Sequence, residues 1–292
     1  PDPRARPGMS AFVAARGRDP RETVVLLHPS ASSARQWEGL IEALRPRYRV
    51  RAVEFHGHGM RTPWDARTPM RLADDAALVS PLLHEAGTAH VIGHSYGAAV
   101  ALKLASMHSA RVRSLVAYEP VLFRWLLDDA DGGSPLNDVV AVAQTMRESL
   151  ARGDERSAAR VFVDFWSGEG SWESLPGTRQ GSIATRMQAV AQHFEALFDE
   201  PLARWQVASL GMPMLFLTGA RTVPAARRLS ELLRHAAPRA RHAVLEGMGH
   251  MGPITHAGAV NRWIAGFLHA HDAAPPLGAG AQVPGAFTAA RN

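Results

Sequence analysis

The sequence contains no cysteine and only one lysine, Lys103. Without cysteine, the chain cannot form a disulfide framework, a thiolate metal site or a cysteine nucleophile. Long uninterrupted apolar runs are also missing, and none approaches the roughly 18 residues that a membrane-spanning helix needs. The sequence therefore predicts a soluble globular protein without a membrane span.

What is present is enough chain for one large domain or two small ones: 292 residues, of which 46% are hydrophobic and 20% are charged. Lys and Arg number 32 against 27 Asp and Glu, which gives a formal charge of +5. The arginines are scattered singly, and the pair Arg227-Arg228 lies among Ala and Leu in a predicted helix. This dispersal favours a solvated positive surface, so no nucleic-acid partner is expected.

Both ends of the chain have compositions typical of flexible tails. Residues 1–9 are rich in Pro and Arg, and residues 272–292 are rich in Ala, Gly and Pro without a helical or strand period. No apolar segment typical of a signal peptide lies near the start, which favours a cytoplasmic location. A leader already removed from this chain is the alternative.

Short β-branched runs alternate with longer amphipathic stretches along most of the chain. The predicted strands are 23–27, 48–54, 90–92, 112–118, 214–217 and 242–245. The predicted helices between and after them are 34–44, 70–85, 96–107, 224–235 and 256–269. Strand–helix alternation with nearly continuous apolar strands predicts an α/β fold with a doubly wound, mostly parallel sheet.

The alternation stops between residues 121 and 209, where no convincing strand is found. The segments 137–151, 155–166 and 183–198 have helical spacing instead. Ordinary crossover helices are the alternative, but a stretch of about ninety residues is too long for one crossover. We therefore expect a core formed by residues 10–120 and 210–271, with residues 121–209 inserted as a helical cap.

The most informative motif is Gly93-His94-Ser95-Tyr96-Gly97, between a predicted strand and an apolar helix. A G-x-S-x-G sequence in this context holds the serine in a strained turn with its hydroxyl exposed. Side chains at 93 and 97 would collide with the neighbouring strand and helix. By itself the motif also fits a glycine-rich turn, but its strand–turn–helix context predicts that Ser95 is a nucleophile.

With this motif, the chain from about residue 10 to residue 269 resembles the α/β-hydrolase family. A second landmark is the segment 28–37, HPSASSARQW, where the family usually has His-Gly and then a Trp. The resemblance implies an oxyanion hole formed by the backbone N–H groups of Ser30 and Tyr96. Pro29 replaces the customary glycine, which leaves the path of this loop open.

A third landmark is the segment 54–59, EFHGHG, which resembles an acidic turn of the family. Its two histidines, His56 and His58, are spaced as a zinc-binding pair could be. The family turn explains both residues, however, and no third ligand is evident. We therefore expect no metal, and the resemblance implies no organic cofactor.

The resemblance also indicates the general base. His250 lies in the glycine-rich segment 246–252, EGMGHMG, directly after the last predicted strand. The family places its catalytic histidine on such a loop, and the other thirteen histidines lack this context. A helix-capping role for His250 is the alternative.

The acid departs from the family pattern. Where the family commonly has an Asp, the segment 217–224 contains no carboxylate, and Thr222 stands at that position. A hydroxyl cannot stabilise an imidazolium as a carboxylate does, so we expect Thr222 to contribute little. Glu119 ends the strand after the nucleophile helix, where some relatives place the acid, and we expect it to be the acid. There are two alternatives. Glu119 could have only a structural role in the turn before Pro120, or Glu246 could be the acid.

A serine, a carboxylate and a histidine together imply acyl transfer to water, with a carboxylic ester as the expected substrate. Thioester, lactone or carbon–carbon bond cleavage, transfer to another acceptor, and a non-catalytic ligand-binding member of the fold are alternatives. The predicted cap is rich in aromatic residues, which favours an apolar small-molecule substrate. The same residues could instead form the core of the cap. They are Phe123, Trp125, Phe162, Phe165, Trp166, Trp172, Phe194, Phe198 and Trp205.

Overall fold

The computed structural model describes residues 21–131 and 133–272, which form one six-stranded sheet and the helices around it. The strands lie in the order β2-β1-β3-β4-β5-β6, and every neighbouring pair is parallel. Their bounds are Thr23–Leu27 (β1), Arg49–Val53 (β2), Ala89–His94 (β3), Val112–Tyr118 (β4), Met214–Gly219 (β5) and Arg241–Leu245 (β6). The doubly wound parallel α/β sheet predicted from the sequence is confirmed.

Two groups of helices cover the two faces of the sheet. The helices of the α/β repeat are Glu38–Leu44 (α1), Leu72–Ala86 (α2), Tyr96–Met107 (α3), Pro224–Ala236 (α10), Gly252–Thr255 (α11) and Ala257–His269 (α12). Alternate residues of β1 face opposite sides: Val25 joins a buried cluster with α2, α3 and α10, whereas Leu26 joins a second cluster with α1 and α12. Burial on both faces explains why the strands are almost uniformly apolar.

Among the described residues, six helices lie between β4 and β5, in the segment for which the sequence predicts a cap. They are Phe123–Leu127 (α4), Gly133–Ala151 (α5), Glu155–Ser167 (α6), Gly177–Ala184 (α7), Met187–Asp199 (α8) and Arg204–Ala208 (α9). The described residues of this segment contain no strand. Most of their buried apolar side chains belong to the same cluster as α2, α3 and α10.

One predicted helix of the inserted segment is interrupted in the structure. The predicted helix 183–198 is two helices, α7 and α8, which are separated by Thr185 and Arg186. Ala184 and Met187 are both buried on either side of this break. Because the apolar spacing continues across it, periodicity alone could not reveal the interruption.

Most of the two predicted tails, residues 1–9 and 273–292, lies outside the described residues. Asp272, the first residue of the predicted C-terminal tail, is described, and it accepts hydrogen bonds from Tyr48 and Arg47. None of the helices in the described ranges is long and apolar enough to cross a membrane.

Gly97 illustrates how tightly α3 packs against the end of β1. A Cβ at Gly97 would lie 2.4 Å from the Leu27 carbonyl oxygen and 2.5 Å from that of His28. Because both are backbone atoms, the helix and the strand would have to separate. We expect Gly97→Ala to lower the free energy of unfolding by about 1–3 kcal/mol.

The matched control for Gly97→Ala is Gly181→Ala, since Gly181 lies in α7 with no heavy atom within 4 Å of the added carbon. Alanine favours a helix over glycine by up to about 1 kcal/mol, so this control should be neutral or stabilising. Urea denaturation of both variants provides the comparison. If the two variants had the same free energy of unfolding, the close contact at Gly97 would not restrict the packing of α3 on β1.

Candidate active site

Two paired strand ends place Ser95 and Glu119 next to each other in the fold. His94 of β3 pairs with Tyr118 of β4, and the two site residues come directly after them. Both adopt left-handed backbone conformations, with φ of 55° for Ser95 and 45° for Glu119. Non-glycine residues rarely do so, and such strain is commonly found at functional sites. The two turns therefore place both residues at the carboxyl edge of the sheet.

His250 lies between these two side chains. Its Nδ1 is 2.6 Å from Glu119 Oε2, and its Nε2 is 2.9 Å from Ser95 Oγ. All three residues are at least 95% buried. A carboxylate can only accept a hydrogen bond, so the imidazole proton lies on Nδ1 and the Ser95 hydroxyl donates to Nε2. The structure thus brings together the three side chains that the sequence analysis singled out for catalysis.

Each carboxylate oxygen of Glu119 has a donor within the protein besides His250. The Gly219 backbone N–H donates to Oε1 at 2.7 Å, and the Thr222 hydroxyl donates to Oε2 at 2.7 Å. The expectation that Thr222 contributes little is at odds with this contact, because its hydroxyl satisfies a buried carboxylate. Glu246, the alternative acid, is exposed.

The loop that carries His250 is held by two side chains of the central strands. His94 Nε2 lies 2.8 Å from the His250 carbonyl oxygen, and the Tyr118 hydroxyl donates to the Gly249 carbonyl oxygen at 2.7 Å. Burial, together with the nearby His250, holds the pKa of His94 well below its ordinary value. His94 is therefore neutral and donates its Nε2 proton, a role that the sequence analysis did not assign to this position.

The loop after β1 lies beside the turn that carries Ser95, as the close approach of Gly97 to His28 shows. Ser30 is partly buried in this loop, and Tyr96 is the first residue of α3. Neither backbone N–H has an acceptor among the described residues. Amides at a loop and at a helix N-terminus can accept a developing negative charge.

The two histidines considered for zinc make other contacts. His58 accepts a hydrogen bond from the Ala31 backbone N–H at Nε2 and donates from Nδ1 to the His56 carbonyl oxygen. His56 Nδ1 lies 2.7 Å from Asp75 Oδ1. Burial and the nearby His28 lower the pKa of His58 to about 3, so it stays neutral. Nε2 of His58 therefore contacts the loop after β1, whereas Nδ1 bonds within the turn after β2 that contains His58 itself.

The inserted helices reach the candidate site at two points. The indole of Trp166, from α6, stacks on the His250 ring with centroids 4.0 Å apart and an interplanar angle of 27°. From α8, His193 Nδ1 lies 2.8 Å from Ser30 Oγ. Most of the aromatic residues singled out in this segment are buried in the shared core, whereas Trp205 is exposed. The sequence analysis missed His193, because a lone histidine in a helix has no motif around it.

Comparison with known proteins found a family and several relatives to which this sequence is similar. The sequence profile of the Alpha/beta hydrolase family matches residues 24–263. A dihydrolipoyllysine-residue acetyltransferase component of an acetoin cleaving system from Cupriavidus necator is 29% identical over 253 residues. That match covers 82% of this chain but 62% of the relative, so the chain spans less than two thirds of that protein.

Shorter relatives match over almost their whole length. A pimeloyl-[acyl-carrier protein] methyl ester esterase from Aeromonas hydrophila is 28% identical, with 85% of this chain and 95% of the relative covered. Among solved structures, the enol-lactonase from Burkholderia xenovorans LB400 has a TM-score of 0.69 at 20% identity. The likeness covers 85% of this chain and 92% of that structure, and it shows the shared fold.

The buried histidines around the site predict how stability depends on pH. Burial depresses the folded-state pKa of His58 to about 3, below its unfolded value of about 6.5. Only the unfolded chain takes up this proton between those values, so stability falls as the pH drops below about 6.5. His58 is expected to lower the free energy of unfolding by about 1.4 kcal/mol for each pH unit below this value.

His58→Gln tests this, because glutamine can still accept the Ala31 hydrogen bond but does not titrate. As the pH is lowered from about 6 to about 5, the free energy of unfolding should fall less steeply for the variant than for the wild type. The two slopes should differ by about 1.4 kcal/mol per pH unit. His235→Gln, at an exposed position, is the control and should keep the wild-type slope. Equal slopes in all three proteins would contradict the prediction.

Proposed function

Because the chain belongs to the alpha/beta hydrolase family, we propose that it cleaves a carboxylic ester through an acyl-enzyme intermediate. The observation that carries the proposal is the continuous contact from Ser95 Oγ through His250 to the Glu119 carboxylate. The relatives named as methyl ester esterases support an ester as the bond that is cleaved.

In the proposed reaction, Ser95 Oγ attacks the ester carbonyl carbon and passes its proton to His250 Nε2. Glu119 stabilises the imidazolium that forms and keeps the ring in the tautomer that can accept this proton. The backbone N–H groups of Ser30 and Tyr96 donate to the oxyanion. His250 then protonates the departing alcohol, and the same groups activate a water molecule that releases the acid from Ser95.

We infer that helices α4 to α9 act as a cap over this site. The stacking of Trp166 on His250 supports this role, because it brings the inserted segment into contact with the proposed base. An indole on this ring also favours an apolar group in the substrate. Excluding water there strengthens the interaction between His250 and Glu119, since electrostatic attraction grows as the local dielectric falls.

The nucleophile is tested by labelling the protein with a fluorophosphonate and by hydrolysis of p-nitrophenyl esters of graded chain length. Wild-type protein should be labelled at Ser95. Ser95→Ala should lose labelling and at least about 10⁴-fold in rate. Ser106→Ala, on the same side of the sheet in α3, is the control and should keep both properties. An unlabelled wild-type protein, or an active Ser95→Ala variant, would rule out the serine mechanism.

The proposed acid is tested by comparing Glu119→Gln with Glu246→Gln. The amide at 119 removes the negative charge that stabilises the imidazolium and can hold the wrong tautomer, so a loss on the order of 10³–10⁴-fold in kcat is expected. Glu246 is exposed on the loop of His250, and its amide variant should keep nearly the wild-type rate. The reverse result would assign the acid to Glu246.

A further inference from the structure

His193 is a buried titratable residue that the proposed reaction does not use. It lies in α8 of the inserted segment, and its side chain is completely buried. Its Nδ1 is 2.8 Å from the Ser30 hydroxyl, in the loop assigned to the oxyanion hole. This contact joins residues that are 163 positions apart in the chain.

The surroundings of His193 fix its ring in place. The imidazole stacks on Tyr96 with centroids 3.6 Å apart and planes within 3°, and the ring of His58 stacks on it at 5.0 Å. Burial first, and the neighbouring histidines second, hold the pKa of His193 well below its ordinary value. The ring is therefore neutral and carries one proton.

The position of that proton follows from the other ring nitrogen. His193 Nε2 lies 3.7 Å from Asp75 Oδ2 and has no hydrogen-bond partner among the described residues. Asp75 is fully buried and accepts a hydrogen bond from the Tyr96 hydroxyl. A lone pair on Nε2 would be repelled by the carboxylate, so the proton lies on Nε2. Nδ1 is then an acceptor, and the Ser30 hydroxyl donates to it.

A second residue of the same helix region contacts the next position of the loop. Arg186, directly before α8, donates to the Ala31 carbonyl oxygen at 3.2 Å. Arg186 and His193 are seven residues apart, which places them on one face of the helix. Ala31 itself has a φ of 59°, a strained conformation for a non-glycine residue that its surroundings must hold. Helix α8 and the residue directly before it thus contact two consecutive residues of this loop.

We propose that His193 is a positioning residue that fixes Ser30, so that the Ser30 N–H keeps its orientation toward the oxyanion. This inference rests on the proposed hydrolytic function. It means that the inserted segment supplies part of the support of the oxyanion hole, and that a cap displaced from the core would leave that hole less well formed. The interaction with the oxyanion is made mainly in the transition state, so losing this support lowers kcat and leaves KM almost unchanged.

The test compares two amides at position 193. The side-chain amide of asparagine reaches the place of Nδ1 and can accept the Ser30 hydroxyl, whereas that of glutamine reaches the place of Nε2. We expect His193→Gln to lower kcat for p-nitrophenyl butyrate by about 10-fold or more, short of the 10²–10³-fold loss of a complete oxyanion donor. KM should change less than about threefold. His193→Asn should retain at least about a third of the wild-type kcat.

Combining His193→Gln with Ser30→Ala tests whether His193 acts through Ser30. If it does, the double variant should be no slower than Ser30→Ala alone, because both changes remove the same contact. The proposal would be overturned if the losses of the two single variants multiplied in the double variant. Equal losses in the asparagine and glutamine variants, or a wild-type kcat in His193→Gln, would also overturn it.

Backbone amide exchange provides a measurement that does not depend on catalysis. In His193→Gln, amides of the loop 28–34 should exchange faster than in the wild type, while those of β3 should not change. If fluorophosphonate fails to label Ser95, the proposed function fails, but exchange still reports whether His193 holds the loop. Unchanged exchange in the loop would overturn the positioning role by itself.

Discussion

The parallel pairing of β3 with β4 is the constraint on which the candidate site depends. Ser95 directly follows His94 and Glu119 directly follows Tyr118, and His94 and Tyr118 pair with each other. The Ser95 backbone N–H also donates to the Tyr118 carbonyl oxygen. Each left-handed residue costs on the order of 1–3 kcal/mol, which the surrounding structure must offset. Both strands are buried between two apolar clusters, and this packing holds the two strained turns.

The surroundings of Glu119, the proposed acid, show how the fold accommodates a buried charge. A carboxylate removed from water is tolerated when hydrogen bonds replace its hydration, and Glu119 receives them from a backbone amide, a hydroxyl and an imidazole. The hydroxyl comes from Thr222, the position at which the resemblance leads one to expect an aspartate. A glutamate directly after one strand therefore lies beside His250, and a threonine after the next strand donates a hydrogen bond to that glutamate.

The inserted helices are continuous with the core rather than loosely attached to it. Most of their buried apolar residues belong to the same cluster as three helices of the α/β repeat. Trp166 and His193 extend this contact to the site, one on His250 and the other on Ser30. The Trp166 ring and the neutral His193 imidazole thus contact the His250 loop and the Ser30 loop without adding a charge. An unpaired charge would be costly in this region, because it is shielded from water.

The sequence by itself determined the parallel α/β architecture, the helical insertion and the positions of Ser95, His250 and Glu119 at strand ends. Periodicity, a local turn motif and the order of strands carry that information within short stretches of chain. Only the tertiary structure decided that α7 and α8 are separate helices, that Thr222 donates to Glu119 and that His193 contacts Ser30. The last two are single contacts between residues 103 and 163 positions apart, and contacts of that kind leave no periodic or motif trace, because packing alone brings the partners together.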